Sequence, residues 1–465
     1  MLWERGSKMM NKRVLAMAVG AVCAGASGLA SAGALDRSGQ SVAAFLRPGN
    51  YAEYGGSFLS PTVEGVDRNG DATGDMGSSY SFIGAAIKLQ PTEKFSFGLI
   101  YDEPFGAAAE YKREGAFVAS PTDPVLTGLP VVSGPSIVSG GQLAAFGLNS
   151  GIEGDTEVQV RTRNLSALVG FQPTENWNIY GGAAYQQIKG DVNLRGETYS
   201  VFNGYDLSVP TTGEWGWLAG VAYQIPEIAL KVSLTYRSEI DYEIDANESM
   251  PMVAALGANS AQLGGLIQQL VRAGRIPPAT GQAIGGALAN LRGGFTPGTT
   301  DLTTPQSVNL DFQTGIMADT IAFGNVRWVQ WSKFSVQPSA FGQLSRAVGP
   351  LVGQPNGFNL VDYSEDQWSA NLGLGRKLAQ TLSGSLSVGW DSGAGNPVTT
   401  LGPTEGYWNV GVGLRYSPTP NIEISGGMKY FWLGDATAET GARSYAGEFT
   451  DNHALAGSIK FGFLF

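Results

Sequence analysis

Side chains capable of acid–base or metal chemistry are scarce in this chain of 465 residues. It contains one histidine, His453, and one cysteine, Cys23. No motif surrounds His453, so the serine–histidine pair of a hydrolase is not indicated. Asp67, Asp71 and Asp75 recur at a spacing of four, but the two-residue ligand spacing and closing glutamate of a calcium loop are missing. We therefore expect no enzyme, no metal centre and no cofactor.

Basic side chains offer a different chemistry, because Arg and Lys bind carboxylates through charge-assisted hydrogen bonds. Lys231, Arg237 and Lys429 occupy the polar face of segments in which apolar and polar residues alternate. If that face points inward, these cations can hold the head group of an anionic ligand, and Arg237 is the first candidate. The alternative is ion pairing within the interior, where the candidate partners of this arginine are Glu239, Asp241 and Glu423.

The alternation itself indicates strands with one apolar and one polar face. Every second residue from Trp408 to Tyr416 is apolar, and the residues between are Asn, Gly or Arg. A period of two is typical of a half-exposed strand. Aromatic residues gather at strand ends, where the interfacial girdles of a transmembrane barrel lie; examples are Trp408, Tyr416, Tyr430 and Trp432. The opposite face is polar and glycine-rich, so it does not form a packed core.

The connections between strands alternate between short and long. Six are short turns, most of them containing Pro, Asp or Asn, and seven are long, the largest at about 112–155 and 246–303. Six short turns and seven long loops connect fourteen strands. An even strand number with short periplasmic turns and long outer loops is the bacterial outer-membrane pattern. The sequence thus predicts an all-β fold: a 14-stranded antiparallel transmembrane β-barrel over residues 49–465, in the outer membrane of a Gram-negative bacterium.

The composition and the N-terminus suit an exported membrane protein. Charged residues make up 15% of the chain and the formal net charge is −11. Low charge with many aromatic residues excludes disorder, and the absence of a basic stripe argues against nucleic-acid binding. An apolar run after Lys12-Arg13 ends in Ala30-Ser31-Ala32, which predicts a signal peptide over residues 1–32. Residues 33–48 then form a short N-terminal segment, either periplasmic or plugging the barrel.

The long loop at 246–303 contains a helical pattern. Apolar residues recur there at positions i, i+3, i+4, i+7 and i+8, namely Leu263, Leu266, Ile267, Leu270 and Val271. This spacing predicts an amphipathic helix, with Gly274 as its C-terminal stop. Two interpretations remain open: the apolar face caps the barrel, or it is an extracellular docking surface for an apolar substrate.

Several motifs, taken in chain order, resemble the FadL-type outer-membrane transporters of long-chain fatty acids and hydrocarbons. Pro104-Phe105-Gly106 is similar to the "PFG" of that family's third strand, and Tyr236-Arg237-Ser238 resembles its "YRS" sequence. The segment from Trp328 to Phe334 resembles its "W-x-x-W-S-x-F" strand. Gly389-Trp390-Asp391 is similar to a further passage. Each motif is weak alone, but the ordered set extends over nearly the whole mature chain.

The resemblance implies a barrel occluded by an N-terminal plug, with a ligand captured by outer loops and released sideways at a kink in strand three. The residues support the kink independently, because Pro104 lacks an N–H and breaks the ladder beside Phe105 and Gly106. The segment at 33–48 is shorter than the plug typical of the family, so plug gating is not assured.

The expected function is passive import of hydrophobic compounds, with long-chain fatty acids first and aromatic or alkane hydrocarbons second. A structural or adhesive barrel and a general porin are the rival interpretations. Expected partners are outer-membrane lipid, lipopolysaccharide and the barrel assembly machinery, the last because alternating apolar residues end in a terminal Phe465. The resemblance favours a monomer.

Overall fold

Antiparallel pairing joins each barrel strand to the next and closes the sheet into a ring. The computed structural model describes residues 35–125, 138–139, 152–292, 294–296 and 298–465. The expected signal peptide and much of the loop at 112–155 lie outside these residues. The first barrel strand pairs with the last, from Tyr51 opposite Leu464 to Thr62 opposite His453. Because of this closure neither the first nor the last strand is a free sheet edge, as a barrel in a bilayer requires.

The barrel has fourteen strands, which confirms the predicted fold class. In chain order they are β1 (Tyr51–Thr62), β2 (Tyr80–Leu89), β3 (Phe95–Asp102 and Gly106–Glu110), β4 (Glu157–Phe171), β5 (Trp177–Leu194), β6 (Tyr205–Ile225), β7 (Leu230–Arg237), β8 (Ser307–Met317), β9 (Thr320–Val329), β10 (Gln367–Lys377), β11 (Leu382–Asp391), β12 (Tyr407–Thr419), β13 (Ile422–Leu433) and β14 (His453–Leu464). The sheet counts 16 segments, because β3 is in two pieces and Asn247–Ser249 pairs with the outer part of β6.

Side-chain alternation separates a lipid face from a polar lumen. On β12 the apolar residues from Trp408 to Tyr416 are 44–61% exposed, whereas Asn409 and Arg415 are 2% and 4% exposed. The exposed apolar faces match the surroundings that a bilayer provides. None of the described helices is long and apolar enough to cross a membrane.

The barrel wall is incomplete at the third strand. β2 pairs with β3 only from Ala85 opposite Tyr101 to Leu89 opposite Phe97. The second piece of β3 pairs with β4, and its contact with the β2 side is a single bridge between Gly77 and Ala109. Between these two contacts the wall has an opening, which we call the wall gap. Its edge on β3 is the break at 103–105, where the sequence predicts the kink.

The long loops fold into a separate layer, the outer cap, over the barrel mouth. It comprises helices α1 (Pro251–Ala258), α2 (Ser260–Arg272), α3 (Pro278–Leu291) and α4 (Ser339–Val348), the 3₁₀ turns Glu197–Phe202, Trp331–Lys333 and Gly349–Val352, and a sheet of Gly65–Asp67, Arg443–Phe449, Ala436–Thr440 and Val398–Thr399. Further short strands pair as Ile240–Ile244 with Thr300–Thr304, Ser335–Val336 with Val361–Asp362, Val118–Ala119 with Gly154–Asp155, and Pro124–Val125 with Val138–Ser139. One buried apolar core joins the four helices to the sheet.

Residues 35–48, which we call the plug, lie inside the barrel. Phe45 is 1% exposed, and its ring centroid lies 5.8 Å from that of Tyr180 on β5. Gly98 on β3 makes room for it, because a Cβ there would approach Phe45 Cδ2 to 2.5 Å. Val42 packs in the same cluster. Apolar burial therefore anchors the lower half of the plug, while its upper half reaches the wall gap.

Candidate functional site

The plug closes the wall gap with its backbone. Arg37 N–H donates to Pro104 O at 2.7 Å, and Gly106 N–H donates to Leu35 O at 2.8 Å. Asp36 stands opposite Phe105 as an antiparallel bridge. The plug thus serves as the neighbouring strand that this part of β3 lacks. The three residues predicted for the kink, Pro104, Phe105 and Gly106, form the edge to which it binds.

The Arg37 side chain fills the remaining space at the gap. Its guanidinium carbon lies 3.6 Å from the ring centroid of Tyr80, the first residue of β2. Arg37 is 3% exposed, and a Cβ on Gly106 would collide with its guanidinium group. A cation over an aromatic face is attractive. Side chain and backbone together leave no free passage between the described residues at this position.

A buried charge network holds the plug from the other side of the lumen. Arg327 Nε on β9 lies 2.6 Å from Asp36 Oδ2, and both side chains are 2% exposed. Arg327 also donates to Gln40 Oε1 at 3.0 Å and to Asn309 Oδ1 at 2.5 Å. Arg237 donates from Nη2 to Gln40 O at 2.9 Å. Two arginines of the wall therefore bind the plug at one place.

Above this network lies an aromatic cluster. The ring centroids of Phe105 and Trp331 are 5.6 Å apart in an edge-on arrangement, and Phe334 and Tyr363 contact Trp331 at 5.1 and 5.3 Å. Leu35 of the plug packs against the same cluster. A cavity of only about 10 Å³ remains beside Gln40, Phe105 and Arg237. A ligand at this site has to displace part of the plug.

The three basic residues predicted for a head group do not meet in space. Arg237 lies in the network just described, at the outer end of β7. Lys231, at the opposite end of β7, donates to Leu46 O at 2.6 Å. Lys429 on β13 donates to Asn371 Oδ1 at 3.3 Å. Their role in ligand binding stays a prediction, and only Arg237 adjoins the wall gap.

The ion pairs found among the described residues differ from those that the sequence suggested for Arg237. Glu423 accepts from Arg415 and lies 2.6 Å from Arg47 Nη2 of the plug. Sequence reasoning missed Arg327 and Asp36 as a functional pair. Arg327 stands on an inward position directly before the tryptophan-rich motif, and that position was the available signal. Asp36 carried no signal, because its partner is 291 residues away.

The predicted helix in the loop at 246–303 is present as α2. Gly274 adopts φ +70° directly after it and supports the predicted stop. Leu263 and Ile267 are 1% and 2% exposed, and the other three apolar residues, Leu266, Leu270 and Val271, are partly buried against the same core. Their apolar face packs into the cap, which agrees with the capping interpretation. A ligand can reach Leu263 and Ile267 only if the cap opens.

We expect Ile267→Asp to loosen the outer cap without unfolding the barrel. A charge buried without a partner costs several kcal/mol, so cleavage of the segment 251–291 by a protease should accelerate at least about tenfold. The measurement is limited proteolysis, with the heat-dependent gel shift of the barrel as a folding check. Gln268→Asp, at an exposed neighbouring position, is the matched control, and equal rates for both variants would contradict the expectation.

The other candidate side chains from the sequence, His453 and Asp67, make structural contacts in the described part of the chain. His453 stacks on Tyr430 with ring centroids 5.7 Å apart. Asp67 accepts the backbone N–H groups of Asn69 and Asp71 at 2.8 and 3.0 Å, so its carboxylate organises a loop. No group of three or more His, Cys, Asp or Glu side chains in the described part is placed to hold a metal ion.

A closed 14-stranded barrel with a lipid-facing exterior, a polar lumen and an internal plug defines an outer-membrane transport barrel of a Gram-negative bacterium. A family model described as "Outer membrane protein transport protein (OMPP1/FadL/TodX)" matches residues 150–460. The chain therefore belongs to this family, whose members are transport channels. No curated protein sequence matches the chain significantly.

Solved structures with the same fold extend over most of the chain. A Pseudomonas aeruginosa FadL homologue is 12% identical, with 94% of this chain and 97% of that one covered and a TM-score of 0.62. The Pseudomonas putida toluene transporter TodX is 9% identical, with 95% and 98% covered and a TM-score of 0.55. The Ralstonia pickettii toluene transporter TbuX is 11% identical, with 95% and 98% covered and a TM-score of 0.50. At these identities the likeness concerns the fold.

Proposed function

We propose that the protein imports long-chain fatty acids passively across the outer membrane and releases them sideways through the wall gap. One observation carries this proposal: Arg327 reaches from the facing wall to Asp36, the plug residue that bridges to Phe105 at the wall gap, and is paired with its carboxylate. A guanidinium group binds any carboxylate in the same way. A fatty acid head group can therefore take the place of Asp36 and free the upper plug.

The aromatic cluster supplies a place for the alkyl chain. Phe105 belongs both to this cluster and to the edge of the wall gap, and Val329 of the cluster lies two residues beyond Arg327 on the same face of β9. A ligand with its head group at Arg327 therefore has its chain beside the gap. Apolar chains favour the bilayer interior over the polar lumen, so release into the membrane needs no energy source.

The outer cap belongs to the same route as the point of entry. The five apolar residues of α2 form part of its core, and we place first contact with the ligand there when the cap opens. An aromatic or alkane hydrocarbon is the second candidate substrate. The rings around Trp331 present edges and faces that suit an aromatic ligand, and two of the similar structures are those of toluene transporters. A porin or an adhesive barrel does not need a closed lumen with this plug.

Binding of oleate and toluene to the protein in lipid nanodiscs tests the proposal. Arg237→Met removes a cation next to the head-group site and should weaken oleate binding about tenfold, because a hydrogen bond to a charged group contributes roughly 1.5–3 kcal/mol. Toluene binding should change less than about twofold. Arg376→Met, at an exposed position of β10, is the control. Binding of toluene alone would make the hydrocarbon the proposed substrate instead of the fatty acid. Binding of neither compound would overturn both proposed substrates.

A further inference from the structure

A second, larger cavity lies on the other side of the plug. It has a volume of about 670 Å³ and is bordered by the short turns at 172–176 and 224–230 and by Gln90, Glu93 and Lys94 of a third turn. Its ceiling is formed by the plug residues Ser41, Ala43 and Leu46. Short turns mark the periplasmic end of the barrel. The cavity therefore faces the periplasm, and the plug separates it from the aromatic cluster at the wall gap.

One half-buried cation of this cavity has free donors. Lys231 lines it, and in the described part of the chain its ammonium group donates one hydrogen bond, to Leu46 O. An ammonium group has three donors, so two remain for a ligand. A second cation that lines the cavity, Arg47, is buried and is used by Glu423. Asp311 also lines the cavity from β8, without a salt bridge to Lys231 within 4.0 Å among the described residues.

Part of the remaining wall is apolar, between polar side chains such as Gln90, Gln224 and Asn371. Leu46 from the plug, Leu230 from β7 and Phe323 from β9 line the cavity together. Phe323 is 6% exposed and points inward, opposite in direction to the lipid-facing residues of its strand. Ser387 Oγ on β11 is buried against the cavity without a hydrogen-bond partner. A cation, an unpartnered hydroxyl and this apolar part of the wall together fit a molecule that has one anionic and one apolar end.

We propose that this cavity is a periplasm-facing binding site for a single-chain amphiphilic carboxylate. Its head group binds Lys231 Nζ, and its chain lies along Leu46, Leu230 and Phe323. Asp311 opposes the binding by its negative charge. The site is distinct from the wall gap, so it can bind ligand on the periplasmic side while the plug remains in place.

Photo-cross-linking tests this site in the mature protein in lipid nanodiscs. The probes are dodecanoate and dodecanol, each with a diazirine near the end of its chain, and mass spectrometry locates the labelled residues. Dodecanoate should label the stretches around Leu46, Leu230 or Phe323, and dodecanol should label them about tenfold less. Lys231→Met should reduce dodecanoate labelling about tenfold, whereas Asp311→Asn should increase it. Lys377→Met, at the same end of the barrel but outside the cavity, should have no effect.

The outcomes separate this site from the proposed import route. Labelling around Phe105 and Trp331 without labelling in the cavity overturns the present inference alone, and the reverse overturns the import route alone. Equal labelling by dodecanoate and dodecanol overturns the head-group role of Lys231. If Lys231→Met fails to fold, the effect of Asp311→Asn decides, and unchanged labelling in that variant counts against the site.

Discussion

Oxidation of a double variant, Asp36→Cys with Phe105→Cys, is expected to stop oleate uptake, and reduction is expected to restore it. The hydrogen bonds on either side of these residues make them a non-hydrogen-bonded antiparallel pair, whose Cα atoms lie about 4.5 Å apart. That distance suits a disulfide. The bond fixes the plug to the edge of the wall gap, so uptake by cells should fall at least about tenfold if ligand leaves there.

The reduced double variant is the internal control, because it carries the same substitutions with a movable plug. The two single-cysteine variants should not respond to oxidant. Cys23 is the one cysteine of the natural sequence and lies in the expected signal peptide. Full uptake by the oxidised, cross-linked protein would show that ligand does not leave through the wall gap.

Removal of the Asp36 carboxylate should release the upper plug. Asp36→Ala leaves Arg327 buried without its ion-pair partner, and breaking one side of a buried pair costs roughly 3–5 kcal/mol. The population of released plug should rise by a factor on the order of 10² or more. Trypsin should then cut after Arg37 or Arg47, which are 3% and 8% exposed in the closed state, and planar bilayers should show ion-conducting openings.

Two controls separate this effect from a general loss of stability. Asp36→Leu combined with Arg327→Met removes both charges and should restore much of the protection, since neither charge is then left alone. Glu53→Ala removes a half-buried ion pair between two wall residues, Glu53 and Lys460, and should leave trypsin cleavage unchanged. Equal cleavage in wild type and Asp36→Ala would mean that the ion pair does not hold the plug.

The barrel was predictable because its strands obey a local rule. A strand between lipid and a polar lumen must alternate apolar and polar residues at a period of two. The alternation from Trp408 to Tyr416 therefore predicts both a strand and which of its faces points to the lipid. The break at Pro104 was also predictable, since the missing N–H is a property of that residue alone. These features need no knowledge of distant parts of the chain.

The occupants of the lumen follow no such rule. Gln40 binds Arg237, nearly 200 residues away in sequence, and Asp36 binds Arg327, 291 residues away. No local sequence pattern predicts either contact. Helix α4 was missed for a different reason. Phe341, Leu344 and Val348 have helical spacing. The helix is short, begins directly after Pro338, and depends on packing against the cap core.

The absent N–H of Pro104 has a consequence for what the barrel does when the plug leaves. A released plug exposes a short strand edge inside a membrane, and such edges pair readily with any neighbouring strand. Because Pro104 cannot donate, any ladder along this edge lacks one hydrogen bond, which disfavours closure between β2 and β3 and the joining of two barrels there. The plug pairs with this edge through Pro104 O and Gly106 N–H, neither of which is the missing donor, so the substitution of a donor-bearing residue for Pro104 would favour competing strands more than the plug.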